Sequence, residues 1–204
     1  MKLYHHPMSS NARRAVVTAF HLGTPVELVF VDLAKGAQKA PDYLRMNPNG
    51  RVPVLDDDGF FLSESHAIMQ YLADKTPGQT VYPTELRARA DVNRWLFWNA
   101  HHWAPAVAVL NFERLVKGFR GLGEADPKEI ARGEKLIEQC CTVLDAHLAD
   151  KEWIAQGRLT LADIAIATPL TSTVPAKLPV SQYANLQRWF SRVQELDAWR
   201  RAAG

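Results

Sequence analysis

Cysteine is scarce in this 204-residue sequence, which has only Cys140 and Cys141, side by side. Neighbours on a helix point ~100° apart and a bond between them would be strained, so they read as two buried thiols in a reducing compartment. A disulfide scaffold is excluded, and the absence of cysteine from residues 1–76 removes any dithiol redox motif from that part. Charge of one sign is also missing, with 24 Lys+Arg against 22 Asp+Glu and a net charge of +2. The densest basic stretch, Arg87-Ala88-Arg89 with Arg94, is interleaved with Glu85 and Asp91, so no nucleic-acid partner is expected. No run approaches the ~18 apolar residues of a membrane span. Met1-Lys2-Leu3-Tyr4-His5-His6-Pro7 lacks the basic-then-apolar layout of a signal peptide, so no membrane association and a cytoplasmic location are expected. What is present is an ordinary globular balance, 47% apolar and 23% charged, enough for one or two domains at roughly 100–200 residues each.

The periodicity changes along the chain. Leu3-Tyr4 reads as a short strand, and Asn11 to His21 has the apolar spacing of an amphipathic helix, closed by Gly23. Val26 to Val31 alternates as a second strand, parallel to the first. Val52-Pro53-Val54-Leu55, the turn at Asp56-Asp57-Asp58-Gly59 and Phe60-Phe61-Leu62 form a β-hairpin, and a helix follows from Ser63 to Ala73. The result is a βαβ–ββα unit with a mixed four-stranded sheet, the thioredoxin-like plan, over residues 1–76. Residues 77–83, with two prolines and a glycine, read as a linker. Residues 84–204 read as all-α: a long helix from Thr84 to about Lys117 bent at Pro105, then Pro127 to Ala149, Leu161 to Thr171 and Leu186 to Ala203. Thr160-Leu161-Ala162-Asp163 is a capping sequence for the third of these.

Two stretches carry chemistry. In Asn47-Pro48-Asn49-Gly50-Arg51-Val52-Pro53-Val54-Leu55, the proline at the strand entry donates no ladder bond. Its peptide bond is a candidate for the cis form, which leaves the Val52 backbone free to pair with an extended peptide. In Ser63-Glu64-Ser65-His66, Ser65 lies at a helix start that favours a carboxylate, while Glu64 suits an ammonium. Together they match an α-amino acid head group. Helix capping alone would also explain these residues. Near the N-terminus Ser9, Ser10 and Asn11 are all good N-caps at the start of the first helix.

With these motifs in this order, the sequence resembles the glutathione transferases, and the region around Ser9 resembles their serine-type members. The resemblance implies that glutathione is the co-substrate and that the protein favours its thiolate, the nucleophilic form. A serine hydroxyl at a helix start would do so by hydrogen bonding, with Arg13 adding positive potential. It favours Ser9 for this role and leaves Ser10 and Asn11 as alternatives. It implies further that Val52 pairs with the cysteinyl backbone, that Pro53 is the family's cis-proline, and that Glu64 and Ser65 hold the γ-glutamyl end. Gln38 and Lys39 would lie near the glycyl carboxylate, and Arg51 stands where many members have Gln. The wall for a small apolar electrophile would come from the second half, where Trp98, His102, Trp103 and Phe112 are candidates.

Conjugation of glutathione to an electrophilic carbon is the expected reaction. The alternatives are a glutathione-dependent reductase or peroxidase on the same site, or a noncatalytic binding protein of the same fold. A homodimer is implied by the resemblance. No metal is expected, because His5 and His6 diverge on a strand and His101 and His102 diverge on a helix, with no ligand pattern around either pair.

Overall fold

A computed structural model describes residues 1–203 and divides the chain into two compact units. The first runs from Met1 to Tyr82 and also takes in the segment from Glu195 onward, while Pro83–Gln194 form the second.

In the first unit β1 (Lys2–His5) is central, with β2 (Glu27–Phe30) parallel on one side and β3 (Val54–Asp57) antiparallel on the other; β4 (Phe60–Leu62) completes the order β2-β1-β3-β4. Both faces of the sheet are covered. Leu55 packs with Leu3, Ala15, Val16, Ile68 and Leu72 on one face. Its neighbour Val54 packs with Ala12, Val31, Tyr43 and Val52 on the other, because successive strand side chains point to opposite faces. The helices are α1 (Ser10–Leu22), α2 (Pro41–Met46) and α3 (Ser65–Lys75). Sequence reasoning does not anticipate α2, whose six residues are too few to show a helical period. The hairpin turn is tighter than expected, since β3 continues to Asp57 and pairs it with Phe60. That leaves only Asp58 and Gly59, both at positive φ, as a two-residue Asp-Gly turn.

The expected long helix of the second unit runs from Leu86 to Arg120 in pieces. These are α4 (Leu86–Trp98), α5 (Ala104–Asn111) and α6 (Lys117–Arg120), joined by π-helical turns at Asn99–Trp103 and Phe112–Val116. Pro105 has no N–H to donate, and the wider turn immediately before it absorbs the disturbance. Next come α7 (Pro127–His147), α8 (Leu161–Ala167) and α9 (Ala184–Gln194). After α8 the chain tightens into a 3-10 turn at Thr168–Ser172 around Pro169, shortening the expected helix. The expected helix from Leu186 to Ala203 is likewise interrupted. Leu196 is extended, and α10 (Asp197–Arg201) belongs to the first unit, where it packs on α1.

Asp163 anchors the second unit. Its buried carboxylate accepts hydrogen bonds from the Thr160 N–H and hydroxyl, the Ile154 N–H and the Trp189 indole N–H, all at 2.8–3.0 Å. The Thr160–Asp163 capping box is thus tied to α9 as well as to α8.

Candidate active site

Register places the candidate residues at one end of the sheet. His5 at the end of β1 pairs with Phe30 at the end of β2, and Tyr4 opposes Val54 at the start of β3. Leu62 ends β4 opposite Leu55. The segments leaving or entering this end therefore carry Ser9, the Gln38–Lys39 turn, Val52-Pro53 and Glu64-Ser65.

Among the three cap candidates, Ser9 is the N-cap of α1. It is extended (φ −88°, ψ 112°), and its Oγ accepts the Ala12 N–H at 3.2 Å. Ser10 and Asn11 are already helical. Arg13 is engaged elsewhere. Its Nη1 and Nη2 donate to the Ala202 and Trp199 carbonyls at 3.0 Å each, and its guanidinium lies 4.6 Å from the Trp199 ring centre. It caps the end of α10 through its guanidinium, which makes no hydrogen bond to Ser9.

The Val52–Pro53 bond is cis, and no hydrogen bond joins the Val52 backbone to another described residue. The loop before it is built on Asn47 and Tyr43. Asn47 is buried and donates from Nδ2 to the Arg51 carbonyl at 2.8 Å, while its Oδ1 accepts the Asn49 N–H at 3.1 Å. The Tyr43 hydroxyl donates to the same carbonyl at 2.9 Å. Arg51 thus enters the loop through its backbone, and its side chain is exposed. Sequence reasoning missed Asn47 and Tyr43 as the supports; the Asn-Pro-Asn-Gly run was the available signal. The Lys39 ammonium reaches the Asn49 carbonyl at 3.3 Å and passes over Gly50, whose φ of +57° and lack of a side chain both suit the approach. The Gln38 Oε1 beside it is buried without a hydrogen-bond partner.

Glu64 holds a left-handed backbone conformation (φ 66°, ψ 109°) as the residue before α3. Such conformations cost on the order of 1–3 kcal/mol and cluster at ligand clamps. Ser65 begins α3 and is buried, and its Oγ is met by Arg14 Nη1 at 3.3 Å from α1. Sequence reasoning did not single out Arg14; a charged residue on the buried face of an amphipathic helix was its only trace.

Two family models match this chain: the glutathione S-transferase N-terminal domain over residues 1–74 and the glutathione S-transferase C-terminal domain over residues 127–192. Glutathione S-transferase 3 of Zea mays is 32% identical over 98% of this chain and 92% of its own length. A glutathione S-transferase of Hypomyces subiculosus is 32% identical over 99% of this chain and 97% of its own. The chain belongs to the glutathione S-transferase family. Among solved structures, glutathione transferase F7 from Populus trichocarpa superposes with a TM-score of 0.90 at 28% identity, covering 99% of this chain and 97% of that one. A glutathione S-transferase I bound with lactoylglutathione gives 0.87 at 27%, with the same coverage.

In the second unit of this transferase, Trp98 and His102 line a cavity of about 490 Å³, together with Pro105, Val109 and, from α7, Leu136 and Val143. Arg132 and Gln139 add polar groups to its wall. Trp103 does not join them: it is fully buried and its indole N–H donates to the Ile166 carbonyl at 2.9 Å. Phe112 lies outside this cavity, with the Lys117 ammonium 5.8 Å from its ring centre. Burial pushes the Cys140 thiol up to about 11 and Cys141 up to about 12, so neither forms a ready thiolate. No group of three or more His, Cys, Asp or Glu side chains arranged to hold a metal occurs among the described residues. No helix among them is long and apolar enough to cross a membrane.

Proposed function

We propose that this transferase binds glutathione along one end of the first unit's sheet and conjugates its thiolate to small apolar electrophiles. The observation that carries the reading is the hydrogen bond from the Ala12 N–H to Ser9 Oγ. A hydroxyl oxygen that already accepts a helix N–H is polarised, and its own hydrogen is left to donate to a thiolate. Unpaired N–H groups of the first turn of α1 add positive potential. Ser9 needs no proton of its own to move. The glutathione thiol loses its proton to solvent, Ser9 stabilises the resulting anion, and the sulfur lone pair forms a bond to the electrophilic carbon as the leaving group, halide for an aryl halide, departs with its bonding electron pair.

The remaining subsites follow from the chemistry of their groups. The open Val52 N–H and C=O suit the cysteinyl backbone. Glu64 faces the γ-glutamyl ammonium and Ser65 its carboxylate, while Lys39, with Gln38, suits the glycyl carboxylate. Arg51 is assigned no contact, since its carbonyl serves the loop. The cavity beside Trp98 and His102 is of a size that accepts a small flat molecule, which supports an apolar electrophile. The distribution of cysteine favours conjugation over thiol-disulfide chemistry.

Titration calorimetry with S-methylglutathione, paired with a conjugation assay on an activated aryl halide, tests the reading. Binding together with turnover is expected. Binding without turnover would leave a noncatalytic protein of this fold, and turnover of a peroxide in place of the aryl halide would move the reaction to the reductase class.

A further inference from the structure

Arg14 is 1% exposed and lies on the face of α1 that packs against α3. Burying a guanidinium is costly unless its charge is used, and an apolar residue would close this helix contact at less cost. Its Nη1 donates to Ser65 Oγ at 3.3 Å and meets His66 Nε2 at 3.1 Å. Burial pushes its pKa down to about 9, opposed by the Glu64 charge, so it remains a cation at neutral pH. Burial, aided by Arg14, pushes His66 down to about 3. The imidazole is therefore neutral, with Nε2 as the acceptor and its proton on Nδ1. One cation thus grips two consecutive side chains of the first turn of α3, next to Glu64 in its left-handed conformation.

We propose that Arg14 is a positioning residue for the γ-glutamyl carboxylate of glutathione, acting by holding Ser65 Oγ as an acceptor so that the hydroxyl hydrogen turns outward to the ligand. This rests on the glutathione reading above. Arg14 touches neither sulfur nor electrophile. Its charge adds to the N-terminal potential of α3 from behind, and its grip on His66 keeps the turn in register with Glu64.

The test compares two ligands by calorimetry: S-methylglutathione, and its analogue in which the γ-glutamyl α-carboxylate is replaced by hydrogen. Wild type should prefer the first by about ten- to a hundredfold, the span of hydrogen bonds to a charged group. In Arg14→Gln that preference should fall to within about threefold, with affinity for the analogue nearly unchanged and kcat at saturating glutathione retained. A purely structural role predicts instead that both ligands weaken by the same factor, and that result, or no change in either affinity, would overturn the proposal. Should Arg14→Gln fail to fold, Arg14→Lys decides. It keeps the charge but not the paired reach to Ser65 and His66, so it should lose at least about threefold of the preference, and equal weakening of both ligands would again count against the proposal. Wild type that binds neither ligand would remove the glutathione reading itself, and the proposal with it.

Discussion

Ser9 Oγ accepts the Ala12 N–H at 3.2 Å, so a single hydroxyl starts α1 and, on the reading proposed above, also donates to the thiolate. Capping and thiolate stabilisation should therefore separate by substitution. Ser9→Ala is expected to cost about 1 kcal/mol of stability, the usual worth of a cap, along with most of the conjugation rate. Ser9→Asp should keep the cap and the melting temperature, yet place an anion beside the sulfur and raise its pKa. Ser10→Ala should change neither property. Thermal melting alongside turnover rates for the three variants checks this.

Asp163 receives four hydrogen bonds while fully buried. Asp163→Ala strands those donors, at roughly 1–3 kcal/mol for each buried group left unpaired, so a loss of about 3 kcal/mol or more is expected with glutathione affinity unchanged in the folded fraction. Burial, partly offset by those bonds, pushes this carboxyl up to about 6, above its value in an unfolded chain. The folded state therefore holds the proton more tightly. This contribution is fully present below about pH 4 and is lost as pH rises through about 6. The stability advantage of wild type over Asp163→Asn, measured by urea unfolding, should shrink from pH 4 to pH 7. A growing advantage would contradict the assignment.

Gly50 sits at φ +57°, and an added Cβ would lie 2.7 Å from Lys39 Nζ and 2.9 Å from the Gln38 carbonyl oxygen. The ammonium can move aside, but the backbone oxygen cannot without shifting the turn. Gly50→Ala is expected to cost about 1–2 kcal/mol from the left-handed conformation alone. Displacing Gln38 and Lys39 should also raise the glutathione KM while leaving kcat nearly intact.

Arg13 holds the end of α10 through two carbonyls and the Trp199 ring. Arg13→Met should release the segment from Glu195 onward by local unfolding. Hydrogen exchange should speed up at α10 and stay protected in β1 and β3, whereas uniform exchange across the first unit would show that the segment is not separable.

Much of this was legible in the sequence because the signals were local. Val52-Pro53 announced its strand entry, Thr160 and Asp163 their cap, and the change from alternating to helical spacing the two halves. Ser9 could not be separated from Ser10 and Asn11, since a one-residue shift in helix start exchanges their roles. Arg13 and Arg14 looked alike as neighbours in a helix, yet the ~100° between them sends one to α10 and buries the other against Ser65. Trp103 read as a pocket residue because aromatic type does not reveal which face of α5 and its flanking turns meets Ile166. These assignments depend on contacts distant in sequence, such as Arg14 with Ser65 and Trp189 with Asp163, and no local pattern records them.

The state of the glutathione sulfur decides between a transferase and a binding protein most directly. Ultraviolet difference absorbance of the thiolate, followed across a pH titration of the complex, reads it without an electrophile. Wild type should lower the thiol pKa below its free value, Ser9→Ala should abolish that shift while still binding glutathione, and Ser10→Ala should preserve it. A shift that survives in Ser9→Ala would contradict the central claim.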